Sequence, residues 1–391
     1  MKIVFVSSAF SENTGYIFNC LPKSLVKLGH EVHVIAPNVQ VYFNSPDYEK
    51  IYQDFLGPKI TPVETKQIDG FTLHRLQHTT FKNEQYFKRG LYKTLKEIQP
   101  DVVQVFYVES FITWQVFWCK VMLGFKLYSA NHSLKSVFTV AKNWPDWPWW
   151  KKADWWLKHK FGGMIISSVV RKVYCQTPDA AEIAIDYYGA PANKVVVEPL
   201  GVDTDLFKPD HENKVDRKTD LGFRPEDRIC IYTGRFSEGK NPLVLAKAID
   251  LLAEKHPNIK GLFIGNGPQE EEIKALRNCS VHPFVHFNKL PLIYQAGELG
   301  VWPREESTSM LDAMASGLPL IISNKVTAME RVDGNGAVYE EKDSEDLSRK
   351  ILDLLEDSKK YDEMSTFGVQ KVQANYSWDA FAVNRMMDYS S

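Results

Sequence analysis

At 391 residues the chain is too long for one ordinary core and fits two domains of roughly 150–200 residues each. Hydrophobic residues make up 44% and charged residues 25%, the balance of a globular protein. A net charge of −2, with no basic stripe on a recognisable motif, argues against a nucleic-acid partner. Five scattered cysteines (Cys20, Cys119, Cys175, Cys230, Cys279), odd in number and never in a Cys-x-x-Cys pair, argue against a disulfide framework or zinc and suit a reducing cytoplasm.

Residues 1–8 hold an apolar run of only four, Ile3 to Val6, too short for a signal sequence. That run reads as a strand, followed by a polar loop from Ser7 to Tyr16 containing Gly15. Ile17, Leu21 and Leu25 recur at helical spacing, Gly29 stands at a C-cap position, and Glu31 to Ala36 is the next strand. The result is one βαβ unit. Phe87, Leu91, Leu95 and Ile98 opposite Lys88, Arg89, Lys93 and Lys96 make an ordinary amphipathic helix. Val102 to Tyr107 is a strand, with a helix to about Gly124. Gln104, Glu109, Gln115 and Lys120 exclude a membrane span there. Lys126 to Ala130, Val173 to Gln176 and Lys194 to Val197 read as strands, with a helix from Pro178 to Tyr188.

Residues 201–222 turn polar and charged and read as a linker between domains 1–200 and 223–376. In the second half, strands Ile229 to Thr233, Ile259 to Ile264, Gly300 to Trp302 and Pro319 to Ser323 alternate with helices from Asn241, Gln269 and about Thr308. Helices fill the tail, with 377–391 returning toward the first domain. The expected fold class is α/β, two Rossmann-like domains facing a cleft. In such sheets ligands sit beyond the carboxyl ends of strands, so residues just after strands carry the interest.

After Thr233 comes Gly234-Arg235-Phe236-Ser237-Glu238-Gly239-Lys240. Two cations five positions apart on a strand-to-helix loop can converge on a dianion, or the segment is a solvated surface loop. Gly265-Asn266-Gly267 lets backbone approach a ligand, or is only a turn. Glu305 and Glu306 precede Ser307-Thr308-Ser309, whose hydroxyls and amides open a small-residue helix ended by Gly317. Ser309 and Asp312 also fit a capping box. His132 follows the strand at 126–130 and reads equally as an ordinary loop histidine.

Gly234-Arg235…Lys240, Gly265-Asn266-Gly267-Pro268, the Glu…Asp-Ala-Met-Ala-Ser-Gly-Leu-Pro block and Gly201-Val202-Asp203-Thr204…Phe207-Lys208-Pro209 occur in the sequence. Together they resemble the retaining, glycogen-synthase-like glycosyltransferases of GT-B architecture (glycosyl transferases group 1), over nearly the whole chain. The resemblance implies a nucleotide-diphosphate sugar donor, UDP- or GDP-linked, and no other cofactor. Arg235 and Lys240 would grip the diphosphate, Asp312 the ribose, and Glu306 and His132 would lie near the donor sugar. Gly15, Gly234, Gly265, Asn266, Gly267 and Ser307 to Ser309 would complete the donor contacts. The family has two glutamates eight positions apart. Here the second is Asp312 and Arg304 stands eight before it, so the acid role falls to Glu305 or Glu306, with Glu306 preferred. Asp203-Thr204-Asp205 mimics a metal-binding pair but lies in the linker. It reads as structural, so no metal is expected. Retention would follow from acceptor attack on the face the phosphate leaves.

Six of the ten tryptophans fall between Trp144 and Trp156, and five lysines against two aspartates give +3 across 142–160. Trp149, Trp150, Ala153, Trp156 and Leu157 share a helical face, and Trp155 breaks the pattern. Trp144, Trp147, Trp149, Trp150, Trp155 and Trp156 with Lys151 and Lys152 read as a bilayer-interface segment. The other reading is an aromatic cluster packed inside, or a carbohydrate platform. The expectation is a peripheral enzyme on the cytoplasmic face of an anionic membrane, with a lipid or lipid-linked acceptor. A nucleotide-sugar epimerase or phosphorylase, and a non-catalytic sugar-nucleotide-binding membrane protein, are the rival readings.

Overall fold

The computed structural model describes residues 1–12, 14–81, 84–133, 135, 138–326 and 329–391. The chain divides into two compact units, Met1–Leu200 with Phe381–Ser391, and Gly201–Ala380. Both are α/β, as the alternating pattern predicts.

Unit 1 is built on strands β1 (Lys2–Val6), β2 (Glu31–Pro37), β3 (Glu64–Ile68), β4 (Phe71–Leu76), β7 (Val102–Val105), β8 (Lys126–Asn131), β9 (Val170–Cys175) and β10 (Val195–Val197), with β5 (His78–Phe81) and β6 (Glu84–Phe87) as a separate two-stranded antiparallel sheet. The sheet order is β10-β9-β8-β7-β1-β2-β4-β3, and only β3 runs antiparallel. Asp69 and Gly70, both at positive φ, turn the chain from β3 into β4. An Asp-Gly pair is the residue choice this two-residue hairpin needs. The hairpin interrupts a simple strand–helix alternation, which is why that pattern does not anticipate it.

Central strand β1 is apolar throughout its buried length because helices cover both faces of a parallel sheet. Helix Ile17–Lys27 ends where expected: Gly29 lies at φ +84°, and the His30 amide reaches back to the Leu25 carbonyl. β1 connects toward β2 while β7 connects toward β8, so the order reverses between β1 and β7. The loops after β1 and β7 flank the crevice that such a reversal opens.

Unit 2 repeats the logic with β11 (Arg228–Thr233), β12 (Ile259–Ile264), β13 (Cys279–His282), β14 (Leu299–Trp302), β15 (Leu320–Ser323) and β16 (Gly336–Tyr339). All are parallel, in the order β13-β12-β11-β14-β15-β16, and the reversal falls between β11 and β14. The core sandwiches this sheet, with Phe207, Ile231, Phe263, Trp302 and Leu320 all buried. The charged stretch expected to be a linker instead belongs to this unit. Helix Lys214–Asp220 packs there, and the buried Lys218 pairs with Glu298 at 2.8 Å and donates to the Asp227 carbonyl. A run of charge looks solvated in sequence, yet here its partners sit on other elements. Edge strands β13 and β16 fall outside the expected alternation, because they are short and only partly buried.

Candidate functional site

In unit 2 the glycine motifs follow β11 and β12 and fold against each other. The Gly234 amide donates to the Ile264 carbonyl at 3.0 Å, the Phe236 amide to Asn266 at 3.0 Å, and the Gln269 amide to Phe236 at 3.1 Å. Gly234, Gly265 and Gly267 all lie near φ +150°. A Cβ on Gly265 would collide with the Gly234 carbonyl, and one on Gly267 would come within 2.5 Å of the Phe236 carbonyl. The glycines are thus required first for loop-on-loop packing. Buried Phe236 anchors the arrangement from below.

Lys240 crosses from the β11 loop to the β14 loop. Its Nζ donates to the Glu306 carbonyl at 2.6 Å and lies 3.3 Å from the Glu305 carboxylate. Glu305 is therefore the acid beside the cationic loop. The Glu306 carboxylate lies 3.7 Å from Arg331, a buried residue that also donates to the Ser307 carbonyl. Arg304 bonds the Glu238 carbonyl and the Glu341 carboxylate, so it braces the same two loops. Arg235 is exposed, and among the described residues it has no ion-pair partner. The loops that flank the reversal point are thus tied together by Lys240 and Arg304, while Arg235 on the first of them stays exposed.

Helix Ser309–Ala315 follows, and it closes in a Schellman motif: Gly317 at φ +87°, with Leu318 donating back to Ala313. The capping box does not form. Thr308 holds the cap position with no side-chain cap bond, and backbone bonds from Met310 to Ser307 and Leu311 to Thr308 close the first turn. The Ser307 and Ser309 hydroxyls bond each other at 2.6 Å, and Thr233 meets the Tyr294 phenol at 2.6 Å. Asp312 lies in this patch. Burial, reinforced by the negative charge of Asp203, pushes its carboxyl up to about 8. Asp203 accepts amides from Asp205 and Leu206, a turn made within the sequence.

In unit 1, Gly15 and Tyr16 end the loop after β1, and His132 follows β8. The Tyr16 phenol and His132 Nδ1 are 2.8 Å apart, and the imidazole stands edge-on to Phe106, in the loop after β7. Burial, with the charge of Arg385, lowers the His132 imidazole to about 4. Tyr16, Phe106 and Arg331 carry no spacing signal, and only the fold brings them to these sites.

The tryptophans divide into two sets. The chain is helical from Trp149 to Val169, with a π-helical turn at Trp156–Lys160. Trp155 turns inward, donating to the Tyr187 carbonyl at 3.0 Å and stacking on His159, whose Nδ1 meets Glu109 at 2.9 Å. Trp144 and Trp147 pack with it around Tyr187. These three are therefore part of the unit's own aromatic cluster. Trp149, Trp150, Trp156 and Leu157 point outward, with Trp149 79% exposed. Lys151 is exposed beside Trp150. On the neighbouring helix Phe111–Leu123, Trp118, Val121 and Met122 are exposed as well. The two helices approach closely because Gly162 faces Trp114. Among the described residues no helix is long and apolar enough to cross a membrane.

Comparison with known proteins places this geometry. The family model described as "Glycosyltransferase Family 4" matches residues 21–206, and the one described as "Glycosyl transferases group 1" matches 214–371. Spore coat protein SA of Bacillus subtilis is 26% identical over 214 residues, 48% of this chain and 56% of that protein. The GDP-mannose-dependent alpha-(1-6)-phosphatidylinositol monomannoside mannosyltransferase of Mycobacterium tuberculosis is 27% identical over 213 residues, 49% of this chain and 54% of that one. The chain spans about half the length of these curated relatives. HepE of Anabaena, solved in complex with UDP, superposes with a TM-score of 0.66 at 14% identity, covering 99% of both chains, and so shares the fold. With the two models matching in chain order, one on each unit, the chain belongs to the glycosyltransferase group 1 family and carries its two-domain GT-B fold.

Proposed function

We propose that the chain transfers a sugar, with retention and without a metal ion, from a nucleoside-diphosphate donor to a lipid or lipid-linked acceptor at an anionic membrane surface. The observation that supports the donor half is the β11–β14 reversal point of unit 2, with Arg235 and Lys240 on the loop that follows β11 and Lys240 bonded to the loop that follows β14. Breaking the sugar–phosphate bond builds negative charge on the departing diphosphate. Fixed cations already in place stabilise it without solvent reorganisation, and one such donor contributes about 3–4 kcal/mol. On this reading Gly234, Gly265, Asn266 and Gly267 line the phosphate path, and Ser307, Thr308 and Ser309 supply neutral donors. Asp312 holds the ribose, and Glu306, oriented by Arg331, contacts the sugar. The UDP complex of HepE supports a nucleoside diphosphate in this fold.

The acceptor half rests on unit 1. Outward Trp149, Trp150 and Trp156 with Lys151 supply what a helix in a bilayer interface needs, rings at headgroup depth and a cation for anionic lipid. A relative named for a phosphatidylinositol mannoside acceptor points the same way. The test is a thermal-shift panel of UDP, GDP and ADP, each with and without EDTA. It is followed by transfer from the matching nucleotide sugar to lipid extracts. A ligand at a hundred times its Kd adds about 2.7 kcal/mol of stability. The reading expects one nucleotide to raise the melting temperature regardless of EDTA. No shift with any of the three, or a shift that EDTA abolishes, overturns it.

A further inference from the structure

His132 has two ring nitrogens, and the structure accounts for one of them. Nδ1 lies 2.8 Å from the Tyr16 hydroxyl, while Nε2 has no partner among the described residues. The His132 carbonyl takes the Gln176 side-chain amide at 2.8 Å. Tyr16 is also limited. Its hydroxyl has no other hydrogen-bond partner among the described residues, and a part-buried phenol is best satisfied where a fixed acceptor takes its proton. If Nδ1 carried a hydrogen, the Nδ1–H would donate to the phenol oxygen and the phenol hydrogen would find no acceptor among the described residues. If the phenol donates to a bare Nδ1, both groups are satisfied. The ring proton is then on Nε2.

We propose that Tyr16 is a positioning residue: its hydroxyl donates to Nδ1 and fixes His132 as the Nε2–H tautomer, which presents a hydrogen-bond donor, not a base, to a substrate oxygen such as a sugar hydroxyl. The surroundings agree with a neutral ring. Phe106 stands edge-on to the imidazole, Tyr16 is edge-on from a second side, and the charge that acts on the ring is the cation Arg385. Burial, with two further phenols, Tyr107 and Tyr42, nearby, keeps the phenol itself protonated. Tyr16 is well suited to such a role because its backbone is fixed independently of its hydroxyl. It precedes helix Ile17–Lys27, and its carbonyl accepts the Asn19 and Cys20 amides at 2.9 and 3.0 Å. Which nitrogen of a histidine is protonated is set by the bond its other nitrogen makes, and here that bond is to Tyr16.

The substrate half of this inference rests on the transferase reading above, while the tautomer does not, so the experiment separates them. Nitrogen-15 histidine resonances of the full chain, assigned to His132 by comparison with His132→Gln, report which ring nitrogen carries the proton. The expected result is a neutral ring at pH 7, protonated at Nε2 and bare at Nδ1. In Tyr16→Phe it should become a mixture of tautomers with the melting temperature little changed. Turnover should fall about tenfold in Tyr16→Phe, the size of one lost hydrogen bond's effect. His132→Gln, whose amide donates without tautomerism, should retain more activity than His132→Ala and be indifferent to Tyr16→Phe. A protonated Nδ1 in the parent protein, an imidazolium at pH 7, or a tautomer unchanged in Tyr16→Phe overturns the proposal. The expected tautomer in a protein that transfers no sugar overturns only the transferase reading.

Discussion

Lys240 and Arg235 are both cations on one loop, yet their surroundings give them different free-energy consequences. Lys240 is half-buried and already holds Glu305 and the Glu306 carbonyl, so it braces the loops as well as offering charge. Arg235 is exposed and unpaired among the described residues. Replacing either by alanine should therefore lower turnover about 100-fold or more, as loss of one fixed electrostatic donor does. The melting temperature should drop only for Lys240→Ala. Steady-state kinetics beside thermal melts check both halves, and near-normal turnover in the two variants would mean the diphosphate lies elsewhere. Asp312 adds a prediction with a sign. Its folded value, about 8, lies above the ordinary 3.8, so the native state keeps a proton that the unfolded chain has lost. The native state then binds more protons across that window, and stability falls as pH rises from about 4 to about 8. Asp312→Asn should flatten that slope and melt higher than the parent at pH 8, with the two converging near pH 4. Parallel pH–stability curves would show that Asp312 ionises normally.

At the scale of elements, a helical face was readable from spacing, but side-chain partners were not. Trp149, Trp150, Trp156 and Leu157 were expected on one face and do lie together, exposed. Trp155 broke the pattern in sequence, and its indole bonds the Tyr187 carbonyl. Trp144 and Trp147 could not be sorted the same way. They precede the helix, and Tyr187 lies more than thirty residues on. The glycine motifs were legible as backbone approach. That the thing approached is another loop, Gly265 against Gly234, needed the fold. The capping box failed because the helix begins with backbone bonds of its own, a boundary that sequence fixes poorly. The two tryptophan sets should respond oppositely to substitution. Changing Trp149, Trp150 and Trp156 to serine should leave stability nearly intact and release the protein from phosphatidylglycerol vesicles. Trp155→Ala should cost about 2 kcal/mol, below the ~3–5 of a fully buried aromatic, and leave vesicle binding in place. Co-sedimentation together with thermal melts decides it: a triple variant that pellets like the parent removes the membrane from the proposal.

For the whole molecule, the chain's return matters most. Strand and helix alternation made two α/β units legible, but it said nothing of which residues would hold the last helix, whose end, Phe381–Ser391, belongs to unit 1. Arg385 is buried there, donating to Gln104 at 2.7 Å and to Glu198 at 2.8 Å, with its guanidinium 3.1 Å above the Tyr174 ring. Tyr389 bonds Gln104 as well, and Asp388 takes Lys172 and the Tyr174 phenol. These partners come from β7, β9 and the residue after β10, so one turn of helix closes hydrogen bonds across much of the sheet. Breaking a buried ion pair from one side strands the other charge, at a cost of ~3–5 kcal/mol. Arg385→Met should lose about that much, and Arg385→Met with Glu198→Gln should recover a large part, because the second change removes the stranded carboxylate. Hydrogen exchange gives the discriminating readout. In Arg385→Met the amides of β7, β8 and β9 should exchange faster, while those of β11, β12 and β14 keep their rates, since the network lies wholly in unit 1. Acceleration spread equally over both sheets would mean that the two units unfold as one, and a variant that melts like the parent would mean that the pair contributes nothing net.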